Sequence, residues 1–312
     1  METLNQILVL FLLLIIGYIS KKLRVISNDM NRDISNFITS IALPCLIIST
    51  LSSFEFSKEV LVKSGKLFVI SWGVYALSIT ISYMVPKIIK AEGTARDIFQ
   101  FMVVFSNVGF MGYPVVNAVF GETGVFYTAL YNLPFNMVIW SFGVAVLSRP
   151  TMERNKLAFD ERGSIQIKQL LNPGLIAVCI GFAMFLTSTR LPGPVYKTFK
   201  MVGDVTTPMS MVFIGSILAD IHIKEIFSNI KVFIVSAVRL IILPLLVLFV
   251  LKIFPLDEIM IGIPVLIAAM PVAANCAIMA TRYENDYHLA SQAIFISTML
   301  SMVTIPLIVT LL

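Results

Sequence analysis

The chain has 312 residues, of which 58% are hydrophobic and 13% charged, with a mean hydropathy of +0.91. That leaves too little polar surface to cover a water-soluble globule of this size, so lipid is the solvent for most of it. The formal net charge of +5 is spread over short loops rather than gathered into a stripe, which argues against a nucleic-acid partner.

The apolar runs are about 18 to 24 residues long, the length of a helix that crosses a bilayer, and the short alternating strands of a barrel are missing. The first span, 4–20, lacks a basic leading segment and a small-residue cleavage site. Its positive charges, Lys21, Lys22 and Arg24, follow the apolar run, which predicts a retained helix with its N-terminus outside. Spans at 33–52, 66–85, 99–119 and 124–147 follow, then a polar stretch, then spans at 169–188, 203–219, 230–251, 260–280 and 289–311. With the N-terminus outside, the cytoplasmic loops hold 15 Lys and Arg against 7 on the outer side. This bias predicts a multi-pass protein of the cell membrane with both termini outside. Cys45, Cys179 and Cys276 lie singly in separate apolar runs, with no CxxC pair, and read as packing residues rather than metal ligands.

The fold class read from this pattern is an all-α membrane protein of ten transmembrane helices arranged as two inverted five-helix repeats. The polar stretch at 148–168 is the cytoplasmic linker between a first repeat, 1–147, and a second, 169–312. An odd number of spans per half inverts the second half. Internal similarity agrees: Ile16-Gly17-Tyr18 matches Ile180-Gly181-Phe182, and Pro44 matches Pro208, both at an offset of 164 residues.

Gly and Pro carry most information where they break a membrane helix, because freed backbone groups are tolerated at depth only beside protein or a watery cavity. Span 4 holds Asn107, Gly109, Gly112 and Pro114 within eight residues, and span 9 holds Pro264, Pro271 and Asn275 among small residues. Each is the fourth span of its half. That predicts two broken helices crossing near the midplane, where half-helix N-termini favour an anion. Asn107 and Asn275 add donors and acceptors for a carboxylate or a carbonyl. The plainer alternative is that these Gly and Pro residues only kink packed helices.

Arg239, in VSAVRLIILP at the middle of span 8, is costly in lipid and so faces the bundle interior or a cavity. Its partner is a substrate carboxylate, exposed carbonyls at the crossover, or a structural carboxylate. Asn132 and Asn136 share a face of span 5 beside Pro134, either lining the cavity or joining two helices. No Asp or Glu falls in the middle third of any span, so a coupling proton or sodium ion has no obvious carrier. Asp204, just before Thr-Thr-Pro, reads as a helix N-cap.

The segments SNVGFMGYP in span 4, IALPCLI in span 2, VRLIILP in span 8 and MPVAAN in span 9, in a ten-span chain with a central loop, resemble the auxin efflux carrier family. That family includes bacterial malate and malonate permeases and plant PIN-type exporters. The resemblance implies a fold similar to bile-acid/sodium symporters and sodium/proton antiporters. Spans 1, 2, 6 and 7 would form a scaffold, and 3–5 and 8–10 a moving transport domain with substrate beside the crossover of spans 4 and 9. Carried over by motif, Asn107 and Pro114 fall on the first broken helix, and Pro271 and Asn275 on the second. Homodimerisation through the scaffold and an elevator-type alternating-access mechanism are further implications. Span 3 here lacks the acid that the plant exporters carry, and the central loop is about twenty residues, so plant-type regulation is not expected.

An intramembrane enzyme would need a nucleophile with a base, a carboxylate pair or a metal set. His222 and His288 lie near loop ends and no midplane acid pair exists, so the chain is read as having no catalytic group, cofactor or metal. The expected partners are a small organic anion, membrane lipid and a proton or sodium coupling ion. A non-transporting receptor or structural subunit is the remaining alternative.

Overall fold

The computed structural model describes residues 2–150, 172–219 and 229–312; from residue 151 onward the expected linker lies outside them. In chain order the helices are α1 (Glu2–Lys22), α2 (Asn28–Phe37), α3 (Leu43–Ser53), α4 (Lys58–Ile88), α5 (Gly93–Val104), α6 (Tyr113–Tyr131), α7 (Leu133–Val138) and α8 (Val144–Leu147). After the undescribed segment come α9 (Pro173–Leu186), α10 (Gly193–Asp204), α11 (Thr206–Ala219), α12 (Ile230–Ala237), α13 (Leu243–Lys252), α14 (Glu258–Ala269), α15 (Asn275–Arg282) and α16 (Tyr287–Val309). Among the described residues strand-type pairing is confined to one isolated antiparallel bridge, Ser106 with Val272.

Seven helical stretches among the described residues are long and apolar enough to cross a membrane, and α9 and α14 are shorter apolar helices. The number falls below ten for local reasons. Expected spans 4 and 9 are each cut into short pieces by extended residues, and Val108–Leu147 runs on as one stretch of 40 residues.

Widened π turns occupy Ile38–Ala42, Val108–Gly112, Ile139–Gly143 and Val238–Ile242. Three of them lead directly into Pro44, Pro114 and Pro244, each the second residue of the helix that follows. A proline ring inside a helix clashes with the carbonyl four residues back and offers no N–H. Admitting one extra residue to the turn relieves the clash and keeps the helix going.

The chain divides into two compact units. The described residues of Met1–Val69, Val108–Leu133 and Leu171–Asp220 form one. Its helices touch through glycine, as lipid-embedded helices do when packing rather than hydrophobic exclusion holds them. A Cβ added to Gly17 on α1 would lie 2.0 Å from the Val212 carbonyl oxygen of α11. One added to Gly181 on α9 would lie 2.8 Å from Leu51 Cβ and 3.5 Å from Ile48 Cα, both on α3. Ser216 donates to the buried Asn31 amide oxygen at 2.5 Å, tying α11 to α2. The outward residues of α1, among them Leu8, Leu12 and Ile16, are exposed leucine and isoleucine suited to acyl chains.

The other unit comprises the described residues of Ile70–Asn107, Pro134–Leu170 and Ile221–Leu312. Its core is aromatic around the end of α5. Phe99, Phe101 and Phe105 are fully buried, and the Phe105 ring lies 4.5 Å from Phe101 and 5.8 Å from Phe135. This packing fixes where α5 stops.

Candidate functional site

Helix α5 ends at Val104, and Phe105 is extended (φ −105°, ψ 114°). Helix α14 ends at Ala269, and Met270 is likewise extended (φ −67°, ψ 148°). The two breaks meet in the unit that contains both. Asn107 N–H donates to the Pro271 carbonyl at 2.8 Å, and Ala273 N–H donates to the Phe105 carbonyl at 3.0 Å. Val272 N–H donates to Ser297 Oγ on α16 at 3.1 Å. Each broken helix thus supplies hydrogen-bond partners to the other, so irregular backbone is admissible where water is scarce.

Arg239 sits in the π turn after α12 and is 1% exposed. It donates from Nη1 to the Val103 carbonyl at 2.8 Å, from Nε to the Met270 carbonyl at 3.2 Å, and from Nη2 to the Ile267 carbonyl at a long 3.5 Å. Val103 closes α5, and Ile267 and Met270 close α14. One cation therefore caps the carbonyl ends of two helices, where the macrodipole places partial negative charge. Of the partners open to Arg239 on sequence grounds, the carbonyls at the crossover are the ones it engages here.

Asn107 is 3% exposed and lies at the break, while Asn275 is exposed and forms the first residue of α15. Asn107 and Pro271 are in direct backbone contact. Asn136 is half-buried on α7 in the same unit. Gly109, Gly112, Pro114 and Asn132 belong to the other unit. A Cβ added to Gly109 would meet no atom within 4 Å, so packing does not demand glycine there.

Asn132 has a local partner. A straight helix of 19 residues would separate the ends of α6 by about 28 Å. Yet Tyr113, at its start, hydrogen-bonds Asn132 just past its end. The chain reverses at Gly121, whose φ of +60° and ψ of −156° are non-helical, between the expected end of span 4 and start of span 5. Asn132 ties the two limbs together, and its Oδ1 has no hydrogen-bond partner among the described residues.

Asp204 departs from expectation. It is the last residue of α10, with Val205 between it and α11, so it stands one position too early to cap α11. It instead lies 4.0 Å from Lys200, which is paired to Glu122 at 2.5 Å. With Ser49, Thr50, Asn117 and Tyr196 these residues line a polar cavity of about 180 Å³ that none of the expected site residues borders. Sequence reading also passed over Asp97. It is 1% exposed, one turn into α5, and accepts from Arg149 at 2.7 Å and Arg96 at 3.2 Å. Arg149 also donates to Gln100 at 2.5 Å, which anchors the start of the expected linker to α5. The available signal was an acid directly beside Arg96 at the edge of an apolar run.

Residues 3–309 match the membrane transport protein family. An "Uncharacterized transporter" of Methanothermobacter thermautotrophicus is 26% identical over 98% of this chain and 96% of its own length. A "Putative malonate transporter" of Rhizobium meliloti is 25% identical over 97% of this chain and 94% of its own. A "Lysosomal cholesterol signaling protein" of Mus musculus is 21% identical over 93% of this chain, which spans 35% of that protein.

Proposed function

The chain belongs to the membrane transport protein family, and on that premise we propose that it is a secondary transporter that moves a small organic anion across the cell membrane beside the crossing of its two broken helices. The observation that carries this reading is the paired break itself. Two interrupted helices are held by Asn107 N–H on Pro271, with their carbonyl ends capped by buried Arg239. Capping the negative ends leaves backbone donors and a helix N-terminus at Asn275 as the polar features of the break, a combination that attracts a carboxylate. Within the unit that holds both breaks, Asn107 and Asn275 are the groups we assign to substrate, with Pro271 shaping the break and Asn136 in the wall beside it.

The inverted repeat is supported by packing as well as by sequence. Gly17 meets Val212, and Gly181 meets Ile48. Each residue of the second pair is offset by 164 from its counterpart in the first, with the roles of the halves exchanged. Asn107 and Pro271, joined by a backbone bond, are also 164 apart. A pseudo-twofold relation would produce both coincidences. Expected spans 1, 2, 6 and 7 fall in one compact unit, and spans 8, 9 and 10 with most of 3 in the other, while spans 4 and 5 are each divided between the two; the first two groupings support a scaffold and a mobile part, and with them elevator-type movement. A homodimer built on the scaffold, and both termini outside, belong to the same proposal.

Malonate is the first substrate to try, because the Rhizobium meliloti relative bears that name. Purified protein in liposomes, screened for uptake of small mono- and dicarboxylates with and without a sodium or proton gradient, would give substrate class and coupling together. Saturable uptake of at least one carboxylate is expected. The mouse relative favours a second reading, a non-transporting receptor, to which a complete lack of saturable flux would point.

A further inference from the structure

The geometry points to Arg239 as the residue that sets the charge selectivity of the crossover without touching what is carried, an inference that rests on the organic-anion reading above. The guanidinium is committed to the carbonyls of Val103, Ile267 and Met270, and the side chain is 1% exposed. At 1% exposure the guanidinium offers almost no surface to a substrate carboxylate. Its charge nevertheless acts on the site. Each helix C-terminus carries roughly half a negative charge, so the ends of α5 and α14 together present about one, which a single cation cancels. What remains is the N-terminal end of α15 at Asn275 and the amides along the break, a net positive environment.

Take away the guanidinium charge and the two carbonyl ends stand uncancelled beside the same amides. At low dielectric a change of one charge is felt across several ångströms, so anion preference should collapse although no substrate contact is removed. Lysine supplies the charge with a compact ammonium that reaches fewer carbonyls than the planar guanidinium. Glutamine keeps a planar donor on a shorter stem and has no charge. The two variants therefore separate charge from shape.

The test compares malonate with its neutral diamide, malonamide, as competitors of carboxylate uptake by the full-length protein in liposomes. Wild type is expected to prefer malonate. In Arg239→Gln the preference should fall by about tenfold or more, through loss of malonate affinity with malonamide unchanged, whereas Arg239→Lys should keep most of it. Wild-type preference in Arg239→Gln would overturn the inference, as would an equal loss in both variants. Where Arg239→Gln fails to assemble, a folded Arg239→Lys decides: retained preference supports the role of charge, and lost preference overturns it. A wild type that carries no carboxylate defeats the organic-anion reading and this role with it. Retained preference in Arg239→Gln, beside an active wild type, defeats this role alone.

Discussion

Replacing Gly17 by alanine should be far more damaging than making the same change at its repeat counterpart, Gly181. At Gly17 the new methyl would sit 2.0 Å from the Val212 carbonyl oxygen and 2.7 Å from Val212 Cα, so it meets backbone. Reaching an ordinary contact of about 3.4 Å requires α1 and α11 to part by about 1.4 Å, and no rotamer can absorb it. Overpacking of this kind costs about 1–3 kcal/mol before neighbouring contacts along the same crossing are loosened, so we expect about 3 kcal/mol. At Gly181 the nearest atom is Leu51 Cβ at 2.8 Å, fixed to its backbone, so α9 and α3 need part by only about 0.6 Å to reach 3.4 Å, and about 1 kcal/mol is expected. Unfolding by SDS titration in mixed micelles would measure both. A Gly17→Ala protein within about 0.5 kcal/mol of wild type, or one more stable than Gly181→Ala, would refute the reasoning.

Other perturbations test the elements around the break. Gly121→Ala forces a side chain into a backbone region open essentially to glycine, in a place where the methyl itself meets nothing within 4 Å. A loss of about 2–3 kcal/mol from strain alone is expected in the same unfolding assay. Ser297→Ala removes the acceptor of Val272 N–H and should cost about 1–2 kcal/mol, with faster amide exchange at Val272 than in wild type. Asp97→Asn removes the buried charge that Arg149 faces; because the Arg149 side chain is 26% exposed, water offsets part of the loss, and about 1–2 kcal/mol is expected. A loss of that size without a fall in transport rate would mark the Asp97 cluster as purely structural.

Much of the candidate site was legible because it is written in residues that disrupt a helix. Asn107, Pro271 and the glycines around 109–112 stand out against lipid-compatible sequence, and helix is interrupted within the stretches read as spans 4 and 9, although the first interruption, at Phe105–Asn107, precedes the Gly109, Gly112 and Pro114 cluster. Arg239 was equally visible, since a cation in an apolar run has few physical justifications. Its partners were not, because the accepting carbonyls lie 28 to 136 residues away and backbone acceptors carry no sequence signature. Asp97 escaped notice because hydropathy places it at a loop edge, and burial of that edge depends on Arg149 folding back onto α5. Asp204 misled through register: a one-residue difference in where α10 ends moved it from a capping position to Lys200. Gly121 reads as one glycine among 16, and only its backbone angles reveal that the chain turns there.

The central claim is that a small organic anion is carried beside the crossing of the broken helices. Initial rates of labelled malonate uptake into proteoliposomes, wild type against Asn107→Ala, test it most directly. Asn107 lies at the break, and its backbone bond to Pro271 survives the substitution. The account expects saturable wild-type uptake and at least a roughly tenfold lower kcat/KM in the variant, with stability little changed. Uptake by Asn107→Ala equal to wild type would contradict it, as would a wild type that carries no small carboxylate.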